Sequence, residues 1–166
     1  MNSSITKKIL AGMSMALILA ACATKGDRAA LPGETATPSF AEVQGKLWAL
    51  EEVVTESGGI IINRRKLEAD GMGDAFTLTV DAERISGKGA PNRYVSPYTV
   101  GENQEISISP IAGTLMMGLV EPEGLQEREY YNYLEQANQW LLTGDRLELY
   151  SETSEGDPVI MVFTLY

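Results

Sequence analysis

Short runs in which apolar and polar residues alternate, separated by tight turns, are the feature that most restricts how this chain can fold. Phe76, Leu78 and Val80 alternate with polar residues, and Ile106 and Ile108 repeat the pattern after a Gly-Glu-Asn-Gln turn. A period of two residues places one face of a strand in a core and the other face in solvent. Strands joined by tight turns pair antiparallel, so the chain is predicted to form an antiparallel sheet.

The C-terminal part adds one helix and a central strand. The run from Val159 to Tyr166 is apolar on both strand faces, which predicts a strand that is covered on both sides. Glu121-Pro122-Glu123 is typical of a helix start, and one helical face would then carry Tyr130, Tyr133, Leu134, Ala137 and Leu141. We therefore predict a mainly β (α+β) fold, in which about eight short strands curl into an antiparallel sheet or partial barrel beside one principal helix.

Two segments between these elements lack a clear period. The basic cluster at residues 63–66 is interpreted as a solvated strand end or loop, with a contact for an acidic partner as the alternative. The apolar stretch from Ile111 to Gly118 is expected to cross beneath the helix, with Met116 and Met117 as adaptable core fillers.

The N-terminal residues predict where in the cell the protein is located. Lys7 and Lys8 precede an apolar run, residues 9–21, that is too short to span a bilayer, for which about 20 residues are needed. The run ends in a Leu-Ala-Ala-Cys motif that resembles a bacterial lipobox, so Cys22 is predicted to be lipidated. By resemblance to Gram-negative lipoproteins, Ala23 favours the outer membrane, with the protein lipid-anchored at the periplasmic face. The predicted segments are a signal peptide (1–21), the lipidated cysteine with a flexible tether (22–40), and a folded domain (41–166).

Charge and residue content exclude several classes of function. The formal net charge is −10, and removal of Lys7 and Lys8 with the signal peptide takes it to −12. Such a surface is a poor match for nucleic acid and is repelled by anionic lipid, so membrane association would rest on lipid chains at Cys22.

The chain has no His, and Cys22 is its only cysteine, which removes Ser-His-Asp, Cys-His and thiolate-metal chemistry. Glu51 and Glu52 are adjacent on a strand and point to opposite faces. No carboxylate pair is therefore nominated for hydrolysis, and we predict no enzyme activity, no cofactor and no metal.

The stretch from Gly87 to Gly118 suggests a family, together with motifs on either side. The motifs occur in order: Trp48-Ala49-Leu50, then Gly89-Ala90-Pro91-Asn92-Arg93-Tyr94, then Thr114-Leu115-Met116-Met117-Gly118, then a helix with Glu127, Tyr130 and Leu134, and last the hairpin Gly144-Asp145-Arg146-Leu147-Glu148-Leu149. From Leu47 to Tyr166 the chain resembles the META domain, also called HslJ-type.

The chain departs from the family pattern in one respect, and the resemblance implies little about function. The family's two cysteines are absent, because Pro91 and Gly118 stand in their places. No disulfide is therefore expected, and stability should not depend on reductant. The resemblance implies a bacterial lipoprotein or secreted protein linked to heat-shock response, antibiotic tolerance or virulence, without a general enzymatic activity or cofactor.

Two functions are carried forward. The first is a non-enzymatic envelope lipoprotein that binds an unidentified envelope protein or has a stress-related role. Its predicted contact surface is the Asn92-Arg93-Tyr94 loop with Tyr98, because Arg and Tyr are favoured interface anchors; the alternative is that Asn92 holds the turn and Tyr94 packs inside. The second function is a small-molecule or lipid carrier that uses the sheet interior, although the large apolar side chains on the strands argue for a filled interior.

Overall fold

The computed structural model of the protein describes residues 38–118 and 122–166. In this part of the chain, ten strands and two helices follow a short 3-10 helix at Phe40–Glu42. The strands are Leu47–Thr55 (β1), Gly58–Ile61 (β2), Thr77–Val80 (β3), Arg84–Lys88 (β4), Arg93–Val100 (β5), Ile106–Ile108 (β6), Ala112–Gly113 (β7), Gln139–Thr143 (β8), Arg146–Glu152 (β9) and Pro158–Leu165 (β10). The helices are Arg64–Ala69 (α1) and Glu127–Glu135 (α2).

The sheet curls into a nearly closed barrel. Its strand order is β6-β5-β4-β3-β1-β10-β9-β8, with β2 paired to β1 and β7 paired to β5, and the pairings are antiparallel. The two ends of this order meet at a seam, where Glu105 bridges Gln139 and the Ile106 N–H donates to the Asn138 carbonyl at 3.0 Å. The prediction of a mainly β fold with a partial barrel and one principal helix is confirmed.

The barrel interior is filled by apolar side chains. Trp48, Leu50 and Phe163 come from the sheet and Tyr130 and Leu134 from α2, and none of the five is exposed to solvent. Strand β10 lies between β1 and β9, as its two apolar faces predict. Burying one large apolar side chain contributes about 1.5–3 kcal/mol, so a core of this size can stabilise the domain without covalent crosslinks.

The basic cluster forms a helix, whereas the sequence pattern indicated a strand end or loop. Helix α1 begins at Arg64, and the Asn63 side chain caps it by accepting a hydrogen bond from the Lys66 N–H at 3.0 Å. An Asn at this position satisfies one of the N–H groups that a helix leaves without an intrahelical partner. The capping signal was therefore present in the sequence, but the helix is short enough for its period to be missed.

Arg64 turns inward from the start of α1 and binds backbone. Its guanidinium donates to the carbonyl oxygens of Ala75 at 2.6 Å, Phe76 at 3.1 Å and Leu50. Strand β1 has a bulge just after Leu50, and Phe76 has a φ of 53°. Burial lowers the pKa of Arg64, and the nearby Glu51 carboxylate raises it in part. The Arg64 guanidinium therefore donates hydrogen bonds to backbone carbonyl groups at a point where the sheet is irregular.

Helix α2 begins later than predicted. Gly124 adopts a φ of 87°, which cannot continue a right-handed helix, and the N-cap residue Gln126 is extended, so the first helical residue is Glu127. The helix ends at Glu135, so Ala137 follows it, and Leu141 lies on β8 with 39% of its surface exposed. Only the first part of the predicted apolar face is therefore helical.

The stretch from Ile111 to Gly118 does not pass beneath α2. Strand β7 pairs with β5 at the edge of the sheet, and the residues that follow stay outside the core. The space under α2 is already occupied, because the Tyr130 ring packs against Phe76 at 5.3 Å and Tyr94 at 5.9 Å between centroids. The assignment of Met116 and Met117 to the core was therefore wrong.

Candidate functional site

The structure places the four predicted contact residues in different environments. Asn92, Tyr94 and Tyr98 are 7%, 4% and 8% exposed, whereas Arg93 is exposed. Tyr94 and Tyr98 lie on the inward face of β5 because alternate residues of a strand point to the same side. Only Arg93 of the four is presented to solvent, and the arrangement matches the alternative in which Asn92 holds the turn and Tyr94 packs inside.

Asn92 is the point at which three of the sequence motifs meet. Its Oδ1 accepts hydrogen bonds from the Met116 N–H at 2.6 Å and the Thr114 hydroxyl at 2.8 Å. Its Nδ2 donates to the Met116 carbonyl at 3.2 Å and to Glu127 Oε2 at 2.7 Å. All the hydrogen-bonding capacity of the side-chain amide is thus used, and the backbone around Met116 is held against the barrel.

Glu127 closes the other side of this network. Its Oε1 accepts from the Asn92 N–H at 2.6 Å and from the Tyr131 hydroxyl at 3.2 Å. Gly89 is needed beside it, because a Cβ there would lie 2.5 Å from Glu127 Oε1 and 2.6 Å from the Tyr131 hydroxyl oxygen. Burial, followed by the charge of Glu127, raises the pKa of Tyr131, so its phenol remains protonated and able to donate at neutral pH.

Tyr94 and Tyr98, the two tyrosines of the predicted contact surface, belong to the core. The Tyr94 hydroxyl donates to the Thr77 carbonyl at 2.9 Å and lies 3.0 Å from the Tyr130 hydroxyl. Burial raises the pKa of Tyr94 well above its ordinary value. The Tyr98 hydroxyl donates to the Asp81 carbonyl at 2.7 Å, and its ring lies 5.4 Å from the Phe40 ring between centroids. Tyr98 therefore packs where the chain enters the barrel.

Three consecutive apolar side chains project from the domain beside this network, and we call them the apolar ridge: Leu115, Met116 and Met117. Leu115 is fully exposed, Met116 is 62% exposed and Met117 is 93% exposed. A patch of adjacent exposed apolar side chains is typical of an interaction site, whereas a single one is ordinary.

The surroundings of the ridge are polar and carry charges of both signs, from Glu127 and Arg128 of α2. Met116 and Met117 line a surface pocket of about 310 Å³ together with Pro91, Gly118 and Arg128. Pro91 and Gly118, which stand where the family's cysteines are expected, thus border the same pocket. Arg128 is exposed on α2 and Arg93 on β5. An apolar centre with charged residues at its rim is the usual composition of a protein interface.

Glu51, one of the two adjacent glutamates of β1, is bonded within the sheet. Glu51 Oε1 accepts from the Thr164 hydroxyl at 3.3 Å and lies 4.0 Å from Arg64 Nε, so it is engaged in the sheet. Across residues 38–118 and 122–166, no group of three or more Asp, Glu, His or Cys side chains is arranged to hold a metal ion. No helix in the same residues is long and apolar enough to cross a membrane. Cys22, the predicted lipidation site, lies outside the described residues.

Sequence reasoning missed the ridge as a candidate site. The available signal was negative: Leu115 to Met117 have neither the period of a strand nor that of a helix, and Gly113 and Gly118 flank them. An apolar run without a period does not indicate whether its side chains are buried or exposed. Here the exposure depends on hydrogen bonds from Asn92, which is more than 20 residues away in sequence.

Comparison with known proteins places this fold in a family. The family model for the META domain matches residues 41–162. An NMR structure of a protein from Burkholderia xenovorans is 19% identical with a TM-score of 0.55, and the match covers 86% of this chain and 97% of that one. A crystal structure of a DUF4847 family protein from Bacteroides vulgatus ATCC 8482 is 12% identical with a TM-score of 0.51, covering 75% of this chain and 95% of that one. At these identities the two structures show the fold alone, and no functionally curated protein matches the chain. Because the family model spans most of the described barrel, the chain belongs to the META domain family.

Proposed function

We propose that this protein is a lipid-anchored envelope protein whose META domain is a non-enzymatic binding module, and that the apolar ridge contacts a protein partner. The observation that carries the proposal is a row of exposed apolar side chains on a backbone that hydrogen bonds from Asn92 hold in place. Water would favour burial of Leu115 and Met117, yet the fold holds them outside.

The fixed backbone favours specific binding over incidental exposure. Both backbone polar groups of Met116 are bonded to the Asn92 amide, and Thr114 is bonded to the same side chain. A segment that is already ordered loses less conformational entropy when a partner binds. The network therefore acts as a support for the ridge.

The charge around the ridge favours a partner of a particular chemistry. The chain as a whole is strongly acidic, but the exposed Arg128 lines the pocket beside the ridge, where the Glu127 carboxylate is already bonded to Asn92 and Tyr131. An apolar segment with acidic neighbours would match both features, because opposite charges at an interface rim steer association and suppress wrong partners.

The ridge is well separated from the point where the chain enters the domain. The 3-10 helix packs its Phe40 ring against Tyr98 and Trp140, whereas the ridge is bonded to Asn92, which directly precedes β5. Tyr98 lies six positions after Asn92 along an extended strand, which corresponds to about 20 Å. The point where the chain enters the domain and the ridge are therefore different parts of the domain.

The proposal also includes a location at the outer membrane and a stress-related role. The Lys7-Lys8 start, the apolar run and Cys22 support lipid anchoring in the outer membrane at the periplasmic face. Membership of the META domain family supports an envelope role connected with stress. The carrier function has no supporting observation, because large side chains such as Trp48 and Tyr130 occupy the barrel interior.

Photocrosslinking in the native envelope tests the binding proposal. A photoreactive amino acid replaces Leu115 in one variant and Ile61 in a matched control, since Ile61 is also apolar and is 77% exposed. We expect one dominant protein adduct from position 115 that is absent from position 61. Identical capture at both positions, or capture of lipid alone at position 115, would overturn the proposal. Loss of the adduct in a Met117→Ser variant with an unchanged melting temperature would assign the contact to the ridge itself.

A further inference from the structure

We propose that Met116 and Met117 form a reversible oxidation site on the apolar ridge, through which hydroperoxides control what the ridge can bind. The control of binding rests on the proposed function above, whereas the oxidation site rests on exposure alone. Methionine thioethers are oxidised to sulfoxides, and sulfoxide reductases reverse the reaction.

The structure separates the described methionines into two groups. Met117 is 93% exposed and Met116 is 62% exposed, so a small oxidant can approach both side chains from solvent. Met161 is fully buried in the core, and Met72 is partly buried against it. Because the oxidant must contact the sulfur atom, the two ridge methionines should react first.

The reaction needs no other group from the protein. A hydroperoxide transfers one oxygen atom to the sulfur atom, so that a sulfur–oxygen bond forms and the oxygen–oxygen bond breaks. The sulfur atom is oxidised by two electrons, and the hydroperoxide is reduced to an alcohol, or to water when hydrogen peroxide is the oxidant. The flexible apolar side chain becomes polar.

Oxidation of the two methionines should change the surface of the domain without breaking the hydrogen bonds of its backbone. The Met116 backbone remains bonded to Asn92 through N–H and carbonyl groups that the reaction does not touch. The side chain of Met117 has almost its full surface in solvent, so a sulfoxide there meets water in the free protein. A partner that covers the ridge would instead have to bury the new oxygen atom, which is unfavourable without a hydrogen-bond donor.

Peptide mapping of the purified full-length protein during exposure to hydrogen peroxide tests the site directly. We expect sulfoxide at Met117 and Met116 to form at least about tenfold faster than at Met161, in keeping with oxidation that follows exposure. The melting temperature should be unchanged at the point where both are oxidised, and methionine sulfoxide reductases should restore the mass. Equal oxidation rates at Met161, or a fall in melting temperature that accompanies ridge oxidation, would overturn the inference.

The control of binding is tested with the crosslink from position 115. The protein with the photoreactive residue at position 115 and both methionines in place should give about a tenfold weaker adduct after oxidation, as expected when a polar oxygen is buried without a partner. A Met116→Gln, Met117→Gln variant should lose the adduct without peroxide, and methionine sulfoxide reductases should restore the adduct of the oxidised protein. An adduct that is equally strong before and after oxidation would refute the control of binding, whereas absence of any adduct from untreated protein would refute the proposed function instead.

Discussion

Replacing Asn92 with Ala should destabilise the domain and release the apolar ridge, because this one side chain joins β5, α2 and the segment after β7. The substitution removes hydrogen bonds to Thr114, to both backbone groups of Met116 and to Glu127. Three of these involve neutral partners, at a net value of about 1 kcal/mol each, and the bond to the carboxylate contributes about 1.5–3 kcal/mol.

The simple sum of these values, about 5 kcal/mol, is an upper bound. Thr114 and Met116 lie at the surface, so water can replace part of what they lose. We therefore expect the free energy of unfolding to fall by about 3 kcal/mol, since only the groups left buried keep the full penalty of an unmade hydrogen bond. For a domain of this size that corresponds to a melting temperature lower by about 10 °C.

Two measurements check this prediction. Urea unfolding should show a lower midpoint with an unchanged slope. Hydrogen exchange should show that the Met116 amide loses the protection that Asn92 Oδ1 gives it in the wild type. The matched control is Asn132→Ala on the exposed side of α2, which should stay within about 0.5 kcal/mol of the wild type. If Asn92→Ala changes stability no more than the control does and the Met116 amide stays protected, Asn92 does not hold the ridge.

Three further predictions follow from the same structure. Gly89→Ala should cost about 1–3 kcal/mol because its Cβ meets the carboxylate and phenol oxygens of α2, whereas Gly113→Ala, with no neighbouring atom closer than 3.6 Å, should be tolerated; similar urea midpoints for the two variants would contradict this. The pKa values of Tyr94 and Tyr130 are raised by burial, so their contribution to stability is present below the unfolded value of about 10 and is lost as pH rises through the folded values. Tyrosinate absorbance from these two should therefore appear only together with unfolding, and reversible ionisation in the folded state would refute it. Because Cys22 is the only cysteine, dithiothreitol should leave the melting temperature unchanged, and a clear drop would contradict the single-cysteine account.

The strands were predictable because their cause is local. Leu78 with Val80, and Ile106 with Ile108, alternate with polar residues in a pattern that only an extended chain can use to bury one face, whereas Phe76, with a φ of 53°, lies just before the strand. The hairpin between β8 and β9 has its turn at Gly144, where the chain has a φ of 60° that glycine adopts without penalty. In each case the residues that decide the conformation lie within a few positions of one another.

The elements that were missed depend on partners that are distant in sequence. Helix α1 gains its inward anchor when Arg64 reaches carbonyl oxygens on β1 and near the start of β3. The start of α2 is delayed by the conformation of Gly124. Exposure of Met117 follows from Asn92 holding the neighbouring backbone and from Phe76 and Tyr94 filling the space beneath the helix.

The sequence by itself determined that the chain forms a curled antiparallel sheet with one main helix, and its motifs identified the META domain family. Alternation and turn residues specify strands because side-chain direction in an extended chain depends only on position. Whether an apolar run is buried or displayed was decided by the tertiary structure alone. The core accepts only as many side chains as its volume allows, and that volume was already taken by Tyr130 and Tyr94, so Leu115 to Met117 remain outside.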